Sequence, residues 1–253
     1  MKCYDITGSY RSDPTAHATP HPLPEASALE THLYTLLERL EELRRHAAPT
    51  HLLADAKLQV ARAMASLERG AEAWPLAREA FDIFILTQDF ESAADACDIL
   101  FQAEQPGSLA ALGQGIWLAV TYPIDPELAV ELLSHVVDET PPEADGAAVA
   151  ATTALFLADL RATGKTRENL MFFAAQTLSE VARRHSQIAS QEAFDLWMDR
   201  LELREPEKFL VRLRNIVDVL VQDDWWFDRD TLLAQLPLGD GAGGPHPCCD
   251  QDH

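Results

Sequence analysis

Basic residues are scarce in this chain, which has 20 lysines and arginines against 41 acidic residues and a net charge of −21. Nucleic acid and anionic membranes attract basic surfaces, so this balance argues against either as a partner. No apolar run approaches the roughly 18 residues that a membrane-spanning helix needs. The first residues also lack the apolar stretch of a secretory signal, so a cytoplasmic location is expected.

Glycine and cysteine are scarce as well. Of the 11 glycines, four fall between Gly239 and Gly244. The four cysteines include Cys97, inside an apolar helical pattern, and the adjacent pair Cys248 and Cys249, which would rarely bond each other. A disulfide framework is therefore not expected, as in proteins of a reducing cytosol.

Catalytic motifs are missing from the sequence. Gly113 and Gly115 lack the third glycine and the lysine of a phosphate-binding loop, and neither G-x-S-x-G nor H-E-x-x-H occurs. His135 lies within an apolar helical pattern, where a histidine usually has a structural role. The sequence thus predicts a protein that is not an enzyme and requires no cofactor.

The residues that are abundant favour helices. Alanine, leucine and glutamate dominate the middle of the chain, and no stretch alternates cleanly between apolar and polar residues as a strand would. Helix caps, prolines and glycines divide the pattern into about ten helices and a short last one. Their expected positions are 27–46, 51–69, 71–88, 90–105, 108–122, 126–140, 146–162, 166–185, 191–201, 206–221 and a few residues after Asp228 or Asp230.

The domain organisation follows from composition. Four prolines between Pro14 and Pro24 oppose regular structure near the N-terminus, and glycines mark the region after residue 238. The predicted parts are a disordered arm at 1–26, an all-α helical-repeat domain at 27–238 and a flexible Cys/His-containing tail at 239–253.

Part of the helical region repeats. A shift of 36 residues places 73–106 on 109–142, and the shift aligns apolar, small, capping and helix-breaking positions together. The aligned pairs include Phe81 with Trp117, Asp89 with Asp125, Ala93 with Ala129 and Pro106 with Pro142. A two-helix unit at this period is typical of a helical solenoid, in which hairpins stack on one another.

Several residues of the repeated unit match positions of a known type of helical repeat. Residues 71–74 are similar to the opening of a tetratricopeptide repeat, Phe81 lies near the aromatic position of its first helix, and Pro106 matches its terminal proline. Residues 71–142 therefore resemble the tetratricopeptide-repeat (TPR) family, although Arg78 stands where that family prefers a small residue. The resemblance implies a short TPR-like α-solenoid of stacked helical hairpins that binds peptides or proteins.

Acidic residues are concentrated in one interval of this region. Between Arg78 and Arg161 there are 15 acids and no lysine or arginine. Such a run commonly forms a solvated surface that maintains solubility; alternatively, it selects a basic partner. The candidate partner-binding acids are Asp95, Asp98, Glu127 and Glu131, and the expected partner is another protein with a basic surface or segment.

Two further sequence features are candidate sites. Three consecutive aromatic residues begin at Trp225, and they either close the end of the helical stack or expose Trp225 and Trp226 as anchors for a partner. In the tail, thiolates and imidazoles could bind Zn, Ni or Cu, although without the C-x₂-C spacing of a structural zinc site. The tail is alternatively an unselected polar extension. Its candidate ligands are His246, Cys248, Cys249 and His253.

These features favour a cytosolic adaptor or assembly and maturation chaperone that binds another protein through an acidic helical-repeat surface. The first alternative is an accessory protein that handles metal ions with its C-terminal tail. The second is an enzyme whose pocket lies between helices and leaves no sequence motif.

Overall fold

The computed structural model describes the chain from residue 24 to residue 236, with side chains from residue 27. Within that range the fold is all-α, as predicted, and contains no strand. None of the helices there is both long enough and apolar enough to cross a membrane. The helices are α1 (Pro24–Arg45), α2 (Thr50–Ser66), α3 (Gly70–Thr87), α4 (Phe90–Gln102), α5 (Ser108–Thr121), α6 (Pro126–Glu139), α7 (Gly146–Arg161), α8 (Gly164–Ser186), α9 (Gln191–Arg200), α10 (Pro206–Val221) and α11 (Arg229–Ala234).

Capping side chains fix the starts of four described helices: α4, α6, α9 and α11. The Asp89 carboxylate accepts a hydrogen bond from the backbone N–H of Ser92, and Asp125 accepts hydrogen bonds from the first turn of α6. Such caps satisfy backbone donors that have no partner inside the helix. One predicted start was wrong: α1 begins at Pro24, and the Ser27 carbonyl already accepts a hydrogen bond within the helix.

Each helix from α1 to α8 packs against the next one, and the even-numbered helices also contact one another in the order α2, α4, α6, α8. We call these four helices the even row. Small side chains allow the close packing, because an alanine adds little bulk between two helix backbones. Ala93 of α4 and Ala129 of α6, which the 36-residue shift aligns, are both 0% exposed, as expected for that pair.

The chain then turns back over the odd-numbered helices. Helix α10 packs across α5 and α7 through a stripe of buried side chains spaced four residues apart. The stripe comprises Phe209, Leu213, Val217 and Val221. One carboxylate joins the ends of these helices. Asp145, which precedes α7, hydrogen-bonds to His185 of α8 at 3.1 Å and to Arg212 of α10 at 2.7 Å.

Candidate protein-binding surfaces

Helices α4 and α6 bring the predicted acidic residues to neighbouring positions of the even row. Two polar contacts hold the helices together. The backbone N–H of Asp125 donates to Glu91 Oε2 at 3.1 Å, and His135 Nε2 lies 2.8 Å from Asp98 Oδ1. The carboxylates of these two helices therefore occupy fixed positions relative to one another.

Asp98 does not belong to the accessible surface, contrary to the expectation that it contacts a partner. It is 1% exposed, and its Oδ2 accepts a hydrogen bond from Gln102 Nε2 at 2.6 Å. A buried carboxylate needs such partners because it has lost its hydration. Its role is to bind His135, a contact that the sequence analysis missed. The repeat offered a signal for this contact. The 36-residue shift aligns Asp98 with Ser134, so His135 lies next to the position on α6 that corresponds to Asp98.

The His135 ring responds to the charges around it. Burial lowers the pKa of His135, but the hydrogen bond and charge of Asp98, with the charges of Glu131 and Asp138, outweigh this effect and raise the pKa above its ordinary value. The Phe101 ring also packs on the imidazole, with ring centroids 4.6 Å apart. The protonated form of the His135 ring is therefore favoured.

Asp95 is also less available than the sequence indicated. Both of its carboxylate oxygens lie 2.5 Å from Arg62 Nη2, and the two side chains are 27% and 41% exposed. Arg62 belongs to α2, outside the interval that lacks basic residues. Stacking of the helices thus neutralises an acid that looked unpaired along the chain.

Of the four exposed carboxylates on α6, three lie along one side of the helix: Glu127, Glu131 and Asp138. Among the described residues, none of the three forms an ion pair with a lysine or an arginine. Burial and the charge of Asp98 raise the pKa of Glu131, and the nearby His135 and Arg62 oppose this shift. We call these three residues the acidic face.

One group of side chains near this face has the composition of a metal site. Asp98, Glu131 and His135 each offer one ligand atom, and these atoms lie within 4.8 Å of one another. Carboxylate oxygen and imidazole nitrogen are suitable ligands for zinc and similar divalent ions. In the described geometry, His135 Nε2 bonds to Asp98, so an ion would have to replace that hydrogen bond.

The predicted aromatic anchors point inward. Trp226 packs between Trp74 and Phe81 of α3, with centroid distances of 6.2 and 5.3 Å. The Arg78 guanidinium lies 4.2 Å from the centre of the Trp226 ring. Trp225 packs edge-on against Trp117 of α5 at 6.3 Å. Both tryptophans are therefore half-buried in the chain's own fold and, contrary to the exposed-anchor expectation, are not free to hold a partner.

A buried amide fixes the backbone beside these rings. Gln114 of α5 is 0% exposed; its Oε1 accepts a hydrogen bond from the backbone N–H of Trp226 at 2.9 Å, and its Nε2 donates to the Asp224 carbonyl at 3.4 Å. Phe227 then packs on Trp117, with centroids 5.2 Å apart. We call the surface that receives residues 224–227 the aromatic groove. It comprises Trp74, Arg78, Phe81, Gln114 and Trp117.

A second groove lies where α10 meets α5 and the start of α7. Its volume is about 410 Å³, and its walls are mainly apolar, with Leu112, Val136 and Ile216 among them. Glu139 is the single ionisable side chain in its lining.

The predicted metal ligands of the tail, His246, Cys248, Cys249 and His253, lie outside the described residues.

Comparison of the chain with protein-family models, with curated proteins and with solved structures finds no match.

Proposed function

We propose that this protein is a non-enzymatic adaptor or assembly chaperone that binds a basic segment of another protein on the acidic face. The observation that supports the proposal is the set of unpaired, exposed carboxylates on α6, a helix held in place by its neighbours in the even row. Stacked helical hairpins, like the TPR arrays that part of the sequence resembles, present extended surfaces suited to such partners.

The acidic face has the charge arrangement that this role requires. Glu127, Glu131 and Asp138 are separated by four and seven residues, so they lie along one side of a regular helix. Lysines or arginines in an extended or helical partner could approach all three together. Opposite charges mainly accelerate association and select the partner, and the effect decreases with salt.

The buried pair behind the face has a positioning role in this proposal. Asp98 and His135 join α4 to α6, and neither needs to touch the partner. The imidazolium of His135 also limits the negative charge that accumulates under Glu131. The acidic face would thus present its exposed carboxylates to a partner, while His135 balances the charge of the buried Asp98.

The cysteine in the described part of the chain is not accessible for chemistry. Cys97 is fully buried, and burial raises the pKa of its thiol well above the ordinary value. A nucleophilic cysteine instead needs an accessible thiolate. Cys97 is therefore not suited to act as a nucleophile.

The test uses a short oligolysine peptide as the basic probe. We expect Glu127→Lys with Glu131→Lys to weaken binding about tenfold or more, and to flatten its dependence on salt between about 50 and 500 mM. The matched control is Glu38→Lys with Glu42→Lys, which makes the same charge change at the same spacing on the exposed side of α1. If both pairs of substitutions weakened peptide binding equally, the overall charge of the protein would explain the binding, and the acidic face would not be a specific site.

A second candidate function is the handling of metal ions, and the ligand geometry of Asp98, Glu131 and His135 favours it. Titration of Zn, Ni and Cu(I) should compare the full chain, a chain ending at Leu238 and the variant His135→Ala. Loss of binding only on truncation assigns the ion to the tail. Loss only in His135→Ala assigns it to the three-residue group. Binding that all three proteins share, or that none shows, contradicts this candidate.

A further inference from the structure

We propose that the aromatic groove is a second protein-binding site, and that the chain's own residues 223–236 occupy it as an internal ligand. The partner that would displace them is an extended segment of another protein with two adjacent aromatic side chains and with neutral or basic flanks. We call residues 223–236 the C-terminal segment. The inference does not depend on the acidic face, which lies on α6.

The groove recognises main chain and aromatic rings separately. Gln114 contacts only the backbone of the C-terminal segment, through the N–H of Trp226 and the carbonyl of Asp224. Any extended peptide offers that pair of groups. Specificity comes from Trp74, Phe81 and Arg78, which surround one ring, because edge-on aromatic contacts and a guanidinium over a ring favour tryptophan.

Two further hydrogen bonds hold the segment beyond residue 227, one to α11 and one to the residue that follows it. Tyr122 Oη donates to the Leu232 carbonyl at 3.4 Å, and Gln88 Nε2 donates to Gln235 Oε1 at 2.9 Å. If the segment left, the buried amide of Gln114 would lose both of its partners. The aromatic rings of the groove would also lose their cover, so the vacated groove would bind another peptide that restores these contacts.

The junction with α10 carries backbone strain. Val221, the last residue of α10, is 1% exposed and anchored, whereas the next residue, Gln222, has φ 54° and ψ −122°. Residues with side chains disfavour this combination, which is ordinary for glycine; Gln88, by contrast, has φ 60° and ψ 27°, the common left-handed helical conformation. The strain persists only while the groove holds the segment, so it weakens internal docking relative to an unconstrained peptide.

Charge also opposes internal docking. The C-terminal segment contains four aspartates and one arginine, and it docks on a protein whose net charge is −21. Its aromatic contacts must therefore overcome repulsion. A segment with the same rings and basic flanks would not meet this repulsion. A second copy of this chain would bring the same acidic flanks and its full negative charge, which makes it the less suitable occupant.

The experiment uses full-length protein and fluorescent peptides of the sequence 222–236. The variant Trp225→Ala with Trp226→Ala weakens the internal ligand and leaves the groove residues unchanged. We expect it to bind the peptide about tenfold or more tightly than the unaltered protein does, because internal competition is reduced. A peptide with Asp223→Lys and Asp224→Lys should bind more tightly still. A peptide with both tryptophans replaced by alanine is the control and should not bind.

Two variants of the protein give opposite expectations. Gln222→Gly removes the strain at the junction, so it should strengthen internal docking and reduce peptide binding. Gln114→Ala, added to the double tryptophan variant, should abolish binding. If the double tryptophan variant bound the native and the alanine peptides equally well, the proposal would be overturned. A dimer of the unaltered protein that forms by exchange of this segment would overturn it too.

Hydrogen exchange of the unaltered protein provides a test that does not depend on any variant. The Trp226 amide should exchange several-fold faster than the amides in the middle of α5, because the segment opens without unfolding the helices. Excess of the lysine-flanked peptide should accelerate exchange within the protein's own residues 223–236. Exchange of these amides only with global unfolding would mean that the segment is a fixed part of the core.

Discussion

Gly115 of α5 lies directly against Cys97 of α4, and a Cβ atom on this glycine would be 2.8 Å from the cysteine Cβ. The same atom would lie 3.2 Å from Leu132 Cδ2 of α6. The contact shows how close α5 comes to both neighbours, and why a residue that weakens isolated helices stands in the middle of this one. Gly113 does the same for α10, since its Cβ would lie 2.6 Å from Val221 Cγ2.

Gly115→Ala should therefore lower the free energy of unfolding by about 1–3 kcal/mol, although alanine is the better helix former. Urea denaturation measures the change. Gly146→Ala is the matched control, because its Cβ would meet the Thr140 side chain at an ordinary 3.4 Å. That variant should have little effect, and equal stability of the two variants would contradict the close packing described here.

His135→Ala should destabilise the protein by about 3–5 kcal/mol, since it leaves the Asp98 carboxylate buried without a cationic partner. Arg44→Ala, which removes one side of the exposed pair with Glu41, serves as the control and should cost less than about 1 kcal/mol. Chemical denaturation at neutral pH compares the two variants. A small effect of His135→Ala would show that Gln102 alone satisfies Asp98.

The pH dependence of stability should reveal the raised pKa of His135. The folded protein holds this proton more tightly than the unfolded chain, whose histidine pKa is about 6.5. The contribution is therefore fully present below that pH and is lost as the pH rises through the folded-state pKa. The stability advantage of the unaltered protein over His135→Gln should therefore shrink as the pH rises from about 6.5 through the folded-state pKa. An advantage that grows over this range would contradict the ion pair.

Ala93→Leu should cost about 1–3 kcal/mol, because Ala93 is 0% exposed where α4 packs on its neighbours. The control Ala175→Leu places the same bulk on the exposed side of α8. Thermal melts of the two variants provide the comparison. If Ala93→Leu melted like the unaltered protein, the packing register inferred from the repeat would be wrong.

The sequence by itself determined where most helices begin and end. Asp89, Asp125 and Ser190 were identifiable as caps, and Pro126 and Pro206 as residues of a first helical turn. These are local signals, since a cap bonds to backbone groups two or three residues away. The 36-residue shift also aligned Ala93 with Ala129, and both are buried, because close contacts between helices select small residues.

The candidate sites were decided by the tertiary structure. The hydrogen-bonded pairs Arg62 with Asp95, Asp98 with His135 and Gln114 with Trp226 join residues 33, 37 and 112 positions apart. A pattern of charge along the chain records neither which helix faces another nor which carboxylate becomes buried. Stacking of the helices neutralised Asp95 and buried Asp98, whereas it left Glu127 and Glu131 exposed. Trp226, an expected exposed anchor, instead lies in the aromatic groove, because the chain returns over α5. Whether an aromatic residue is buried depends on which surface the fold places against it.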